Sequence, residues 1–248
     1  MSPAPPVVLA LDASTYRGSV AVLRDGRLLA ERATAMRGAD EERLMPAVAA
    51  ALAEAQAPPA VVAAIACGGG PGSFTSLRIA GAIAKGLATA TGAPVLAVPS
   101  LALVAVAGTV AGAAARGADG ALPVTVLATM DAMRGDRYAA LVALALDAAG
   151  QPAVTGYRYL GVVPADSVPA LARTEGADGT VDAGECAPAA AGVAALGLAL
   201  PDGRRLGPAA GLAVEAVALD AWEPDYGRKA EAQVKWEAAH GRALPGAA

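Results

Sequence analysis

One short pattern occurs twice in this chain, and it constrains the fold more than any other feature of the sequence. Residues 9–18 read LALDASTYRG and residues 128–135 read ATMDAMRG. In both copies an apolar run ends at an aspartate, a polar turn follows, and a second apolar run begins, which is typical of two paired strands. The two aspartates, Asp12 and Asp131, lie 119 positions apart. The sequence therefore predicts a duplicated unit, against the alternative of two chance matches in an alanine-rich chain.

Hydrophobic periodicity divides the chain into two halves of similar make-up. In the first half we predict strands at 7–11, 19–23, 27–33, 61–67 and 94–98, and helices at 40–56, 76–90 and 100–115. In the second half we predict strands at 123–130, 138–146, 154–163 and 181–184, helices at 189–195 and 212–219, and an extended polar tail from residue 223. A break rich in glycine, aspartate and alanine at 116–120 separates two predicted domains, 1–116 and 117–248.

Composition argues against several classes of protein. The 248 residues carry a net charge of −4 and 3% aromatic residues, which disfavours nucleic-acid binding by this chain alone. The single histidine, His240, excludes a metal site built from several histidines of one chain. Two distant cysteines, Cys67 and Cys186, give no disulfide framework and favour a reducing compartment. We see no signal peptide, and the longest apolar run, 101–115, is too short to span a bilayer. We therefore expect a soluble, cytoplasmic protein with no membrane partner.

A glycine-rich loop between a predicted strand and a predicted helix is the most distinctive local feature. Residues 68–75 read GGGPGSFT. Backbone N–H groups of Gly69, Gly70 and Gly72, with the positive end of the helix, are suited to hold an anion. The loop is not a P-loop, because no Gly-Lys-Ser/Thr closes it, and its glycine spacing differs from the dinucleotide fingerprint. Close backbone packing or contact with a partner is the alternative interpretation.

A second candidate site begins where the first predicted strand ends. Asp12 is followed by the hydroxyl residues Ser14 and Thr15. Several nucleotide-binding folds hold magnesium or phosphate at this position, and the alternative is a turn in which the aspartate accepts local hydrogen bonds. Cys67 has no histidine to activate it and is predicted to be a small buried hydrophobe. We therefore assign neither a catalytic residue nor a metal ligand.

Three smaller features each keep two interpretations. Asp131, Arg134 and Arg137 form a charged corner at the second hairpin, which is either functional or a solvated turn. Lys85 either pairs with a partner's carboxylate or is solvated. The C-terminal segment mixes aromatic and basic residues, which suits either binding of a partner or RNA, or packing as a tail; these residues are Trp222, Tyr226, Lys229, Lys235 and Trp236.

Residues 7–105 carry a resemblance to a known family. The run GGPGSFTSLR at 69–78 is its most specific part, supported by AKGLA at 84–88 and ERLMP at 42–46. The chain resembles the TsaB (YeaZ) family, the bacterial subunit for threonylcarbamoyladenosine synthesis in tRNA. The resemblance implies an α/β protein with the actin-like ATPase fold: two duplicated, ribonuclease-H-like subdomains, each with a mixed sheet flanked by helices.

The resemblance also implies a non-catalytic scaffold. The catalytic paralogue, TsaD, carries metal-binding histidines on a helix, whereas this chain has His240 alone. Implied partners are TsaD in a heterodimer, the ATPase TsaE in a ternary complex, and tRNA indirectly, with a homodimer when the chain is alone. ATP is used through the partner subunits and no cofactor is bound tightly.

The same resemblance implies two sets of site residues. The partner interface lies on the helices near 40–56 and 76–91 and comprises Glu42, Arg43, Leu44, Pro46, Ser73, Phe74, Thr75, Leu77, Arg78, Ala80, Gly81, Ala84 and Lys85. The vestigial nucleotide or anion site comprises Asp12, Ser14, Thr15, Gly69, Gly70 and Gly72.

Two positions depart from the family pattern. The family has His-Ser before its Glu-Arg-Leu-Leu-Pro run, whereas this chain has Asp40, which we predict to cap the helix, and Glu41. Ser76 stands where the family has glycine, a mild change at a helix start.

The competing hypothesis is a stand-alone actin-like ATPase or small-molecule kinase acting through Asp12 and the glycine loop. A peptidase is disfavoured because neither a metal site nor an activated nucleophile is apparent.

Overall fold

The computed structural model describes residues 5–38, 41–110, 122–209, 211–229 and 231–242. Within these ranges the strands are β1 (Val7–Asp12), β2 (Arg17–Arg24), β3 (Arg27–Ala35), β4 (Val62–Gly68), β5 (Val95–Val98), β6 (Val124–Asp131), β7 (Asp136–Leu146), β8 (Pro152–Pro164), β9 (Gly179–Asp182), β10 (Gly197–Ala199), β11 (Arg205–Leu206) and β12 (Ala213–Val214). The helices are α1 (Leu44–Glu54), α2 (Phe74–Thr91), α3 (Ser100–Val110), α4 (Val168–Thr174) and α5 (Glu231–His240). Across these ranges, every helix is too short or too polar to cross a membrane.

The first sheet has the strand order β3-β2-β1-β4-β5. Its central strand, β1, pairs antiparallel with β2 and parallel with β4, and all six of its residues are buried. A continuous apolar run is what a strand covered on both faces requires. Asp25 and Gly26 make the tight turn between β2 and β3, both with positive φ, as the Asp-Gly pair predicts.

The second sheet repeats this arrangement in the order β8-β7-β6-β9. Strand β6 pairs antiparallel with β7 and parallel with β9, as β1 does with β2 and β4. Asp12 and Asp131 end the two equivalent strands, and each accepts a hydrogen bond from the backbone N–H two residues later. The predicted duplication and the α/β fold class are confirmed.

Helix α3 lies between the two sheets. Residues 101–106 are all apolar and buried, because the helix packs on both sheets at once. One apolar cluster contains the inward residues of β1 and β2, the helix α3, and the inward residues of β6 and β7. The two halves are therefore joined through a shared core rather than through a linker alone.

Helices α1 and α2 cover the opposite face of the first sheet. Their buried residues pack with the β1 and β2 side chains on the sheet face away from α3, such as Leu9 and Val22, and form a separate core. The glycine at the end of α2, Gly92, has positive φ and its N–H caps the helix on the carbonyl of Ala88. The remaining surfaces of both helices are exposed or half-buried.

Several local predictions are corrected. Residues 212–219 do not form a helix: the chain runs extended beside the edge strand β5, with Val217 N–H donating to the carbonyl of Val95. Residues 190–195 form a 3₁₀ helix. The segment after residue 223 packs on the glycine loop and then forms α5, instead of remaining an extended tail. The predicted domain boundary at 116–120 and the capping residue Asp40 lie outside the described residues; α1 begins at Leu44, where Glu42 accepts hydrogen bonds from the N–H groups of Leu44 and Met45.

Candidate functional site

Asp12 is a sealed structural carboxylate. It is completely buried at the end of β1. One carboxylate oxygen accepts hydrogen bonds from Ser14 N–H at 2.9 Å and Ser14 Oγ at 2.7 Å, and the other accepts one from Ser100 Oγ at 2.6 Å. A Cβ on Gly68 would lie 2.0 Å from the carboxylate, so only glycine fits beside it. These contacts use both oxygens and exclude solvent, so Asp12 is a buried acceptor that ties the turn after β1 to the start of α3.

Burial makes Asp12 a source of pH dependence. Desolvation raises the pKa of Asp12, opposed by the hydrogen bonds from Ser100 and Ser14. The folded chain therefore holds the proton to a higher pH than the unfolded chain does. The free energy of unfolding of the protein should then fall as the pH rises from the ordinary carboxyl pKa to the raised pKa of Asp12.

We expect Asp12→Asn to remove this pH dependence. The stability of wild type minus that of the variant should decline in urea unfolding as the pH rises through the interval above about 4, the ordinary carboxyl pKa. Asp131→Asn, at the equivalent but exposed position, is the matched control. A difference between wild type and Asp12→Asn that stays constant with pH would contradict titration of Asp12 in that interval.

The amides of the glycine loop bond within the chain. Gly69 N–H donates to the carbonyl of Val98 at 2.8 Å, and Gly70 N–H donates to Ser100 Oγ at 3.2 Å. Ser73 N–H donates to the carbonyl of Ser14 at 2.7 Å. An anion cradle needs several free N–H groups pointing at the ligand. This loop instead ties β4 to α3 and to the turn after β1.

The C-terminal segment 222–229, here called the strap, covers the outside of the same loop. Asp225 N–H donates to the carbonyl of Gly69 at 2.8 Å, and a Cβ on Gly70 would lie 1.9 Å from the carbonyl oxygen of Asp225. Trp222 lies over Gly81 and beneath Lys85, whose Nζ is 5.8 Å from the ring centre. The ring of Tyr226 packs against that of Phe74, with ring centres 4.4 Å apart and the planes tilted by 46°.

The predicted anion site stays a prediction, and the structure shows how its residues are arranged. Asp12, Ser14, Gly69, Gly70 and Gly72 are brought together as expected. The Gly69 and Gly70 amides bond within the chain and the strap lies against these two residues, whereas Ser14 and Gly72 line an open cleft. Of the predicted set, Thr15 and Gly69 are partly exposed and the other four residues are buried. Close packing, the alternative stated from the sequence, describes this loop.

The predicted interface residues divide into two groups. Five lie in the core of this chain and have no free surface to offer a partner: Leu44, Leu77, Ala80, Gly81 and Ala84. The others are exposed or half-buried: Glu42, Arg43, Pro46, Ser73, Phe74, Thr75, Arg78 and Lys85. The small residues Ala80, Gly81 and Ala84 form the inner face of α2, against the sheet and the strap. The interface itself stays a prediction.

Other predicted features have definite places. Burial, with the nearby charge of Asp12, raises the pKa of the Cys67 thiol, which suits a core residue rather than a nucleophile. Ser76 is buried at the start of α2, with its Oγ 3.1 Å from Ser73 Oγ. In the charged corner, Arg137 pairs with Asp182 at 3.4 Å. Among the described residues no group of three or more His, Cys, Asp or Glu side chains is placed to hold a metal ion.

A cleft of about 1160 Å³ opens between the two halves. One wall contains the turn after β1 and the start of α2, the other contains the β6–β7 turn, and the strap closes one end. Tyr16 reaches across, donating its hydroxyl to Met133 Sδ at 3.2 Å. Sequence reasoning missed the strap's part in this cleft, although the mixture of aromatic and basic residues at 222–236 marked the segment as unusual.

Comparison with known proteins agrees with this architecture. A family model described as TsaD, tRNA N6-adenosine threonylcarbamoyltransferase, matches residues 35–174, more than half of the chain. YeaZ of Pseudomonas aeruginosa is 35% identical with a TM-score of 0.50, over 62% of this chain and 67% of that one. A Pseudomonas aeruginosa protein described as similar to peptidase YeaZ gives 35% identity and a TM-score of 0.52, over 64% and 67% of the two chains.

The chain belongs to the TsaD-related family, in its TsaB (YeaZ) branch. The tRNA threonylcarbamoyladenosine biosynthesis protein TsaB of Bacillus subtilis is 37% identical over 94 residues. That match covers 38% of this chain and 41% of the Bacillus protein, so the alignment spans about two fifths of that relative's length. The TsaB resemblance inferred from the glycine loop is thereby confirmed.

Proposed function

We propose that this chain is a non-catalytic subunit that pairs with a TsaD paralogue in the complex that transfers the threonylcarbamoyl group to adenosine next to the tRNA anticodon. The ATPase TsaE joins the pair, ATP is consumed by the partner subunits, and tRNA is engaged through the complex. The same surface gives a homodimer when the partner is absent, and the complex works in the cytoplasm.

The outer face of α1 and α2 supports this proposal best. On α1 the exposed residues Met45, Ala49 and Ala53 recur every four positions, and on α2 Ala82 and Gly86 do the same. Residues four apart lie on one side of a helix. Small side chains let the backbone of a second helix pair approach closely, as in a four-helix bundle. We propose that the TsaD paralogue presents the matching helix pair.

The hydrogen bonding of the glycine loop supports a non-catalytic role. An ATPase or kinase of this fold would need free loop amides and an accessible carboxylate for magnesium and phosphate. Here the Gly69 and Gly70 amides donate within the chain, and Asp12 is enclosed by Ser14 and Ser100. The loop instead holds the start of α2 in place, which fixes the proposed docking helix.

Reconstitution tests the proposal. The full chain is mixed with the histidine-bearing TsaD paralogue from the same genome, and the mass of the complex is measured by light scattering after gel filtration. Unmodified tRNA is then supplied with threonylcarbamoyl-adenylate, TsaE and ATP, and modified nucleoside is quantified with and without this chain. We expect a heterodimer and a loss of modification when the chain is omitted.

Two results would overturn the proposal. One is separate elution of the two proteins together with full modification in the absence of this chain. The other is ATP turnover by the chain alone that disappears in Asp12→Asn, with folding of the variant checked by circular dichroism. That result would favour the stand-alone ATPase or kinase.

A further inference from the structure

The cleft between the two halves carries a concentration of positive charge that the proposed function does not use. Six basic residues line it, against two acidic ones, in a chain whose net charge is −4. The basic residues are Arg17, Arg37, Arg134, Arg137, Arg228 and Lys229, and the acidic ones are Asp131 and Asp182. Both walls and the strap contribute basic residues, and three of these are paired with acidic side chains: Arg137, Arg228 and Lys229.

Neighbouring contacts hold several of these cations in place. Arg137 pairs with Asp182, and Arg228 pairs with Asp136, which fixes both guanidinium groups at the cleft. On the opposite wall Arg17 is exposed, and Arg37 lies 3.5 Å above the ring centre of Tyr16. Within the part of the chain that the structure describes, neither Arg17 nor Arg37 has an acidic partner. These two arginines therefore have donors available for an anionic ligand.

Aromatic rings lie next to the arginines. Phe74 is 38% exposed at the start of α2, and its ring packs against Tyr226 of the strap. Tyr16 is partly exposed between the two walls. Arginine with exposed aromatic rings is the combination that proteins use to hold single-stranded nucleic acid, with phosphate on the cations and unstacked bases on the rings.

The arrangement fits a polymer better than a free nucleotide. A nucleoside triphosphate in this fold would need loop amides converging on its phosphates, and the Gly69 and Gly70 amides already donate to Val98 and Ser100. The cations instead belong to separate elements around a cleft of about 1160 Å³, larger than the usual range for small-molecule sites.

We propose that this cleft binds a single-stranded segment of RNA, with phosphodiesters on Arg17 and Arg37 and a base against the Phe74–Tyr226 pair. The inference rests on the proposed function, which supplies tRNA as the RNA. It goes beyond that function because it places part of the RNA on this chain rather than on its partners.

Fluorescence anisotropy with a labelled anticodon stem-loop of unmodified tRNA tests the proposal on the full chain. We expect binding at low salt with a dissociation constant on the order of 10 μM, weakening as salt rises. The double variant Arg17→Glu, Arg37→Glu should lose at least about tenfold in affinity. The matched control is Arg24→Glu, Arg27→Glu, which makes the same charge change at the far end of the same hairpin.

Three outcomes would overturn the proposal. They are an equal loss in both double variants, no binding by the wild type at low salt, and complete displacement of the RNA by an equal concentration of ATP. The last would identify a free nucleotide as the ligand. Heterodimer formation is measured separately by light scattering, so failure of RNA binding and failure of the proposed function are distinguishable.

Discussion

Replacing Gly70 by valine is expected to lower the free energy of unfolding by about 4 kcal/mol. Gly70 has φ of +96°, a conformation that a branched side chain adopts only under strain. Its Cβ would lie 1.9 Å from the carbonyl oxygen of Asp225, and backbone cannot retreat as the end of a flexible side chain can. The strap must therefore leave the loop, which removes the contact between the Tyr226 and Phe74 rings.

Gly86→Ala is the matched control for this effect. Gly86 lies inside α2, and a Cβ there would meet no atom within 4 Å. Alanine should therefore raise the free energy of unfolding by about 0.5–1 kcal/mol through helix propensity. Urea unfolding measures both values. Iodide quenching of tryptophan fluorescence in a Trp236→Phe background reports release of Trp222, which lies on the strap. Wild-type stability and wild-type quenching in Gly70→Val would contradict the inference that the strap packs tightly on the glycine loop.

Ala82→Glu is expected to weaken the heterodimer with the TsaD paralogue by about 100-fold, which corresponds to about 2.7 kcal/mol. Ala82 is exposed at the middle of the outer face of α2, one turn before Gly86. A glutamate at this point would hold the two helix pairs apart, and its carboxylate would be desolvated when the complex forms. Because the side chain points to solvent in the free chain, its stability should change by less than about 0.5 kcal/mol.

The control for Ala82→Glu is Ala170→Glu, the same change at an exposed position of α4. Isothermal titration calorimetry with the paralogue should give wild-type affinity for that variant. Equal affinities for Ala82→Glu and Ala170→Glu would place the interface elsewhere. Substitution of Leu77 or Ala80 cannot make this test, because both side chains are in the core and any change there alters folding first.

Local patterns were sufficient to predict most of the framework. Strand β1 is a continuous apolar run because it is covered on both faces, and the Asp-Gly turn after β2 is fixed by backbone conformation alone. The repeated Asp12 and Asp131 patterns predicted equivalent strands because each aspartate accepts a bond from its own turn. Such features depend on neighbours in sequence, which a single sequence displays.

The features that decided the site depend on distant neighbours. Asp12 is sealed by Ser100, 88 positions away, and the glycine loop is covered by Asp225, more than 150 positions away. No local pattern contains those contacts. On α2 the small residues predicted to meet a partner instead meet the sheet and the strap, because two faces of an alanine-rich helix look alike in sequence. Residues 212–219 were wrongly predicted as a helix for a related reason. The segment runs extended beside the edge strand β5, a distant contact that its apolar spacing does not display.

The position of α3 has a consequence for how this protein can be divided. Its buried residues, such as Leu101 and Val104, complete the interior of both sheets at once. A cut between the halves would leave one sheet without its cover whichever piece kept the helix. A change of volume in α3 must be accommodated on two sides, so the two repeats are not interchangeable modules. Any truncation or fusion therefore has to treat them as one piece.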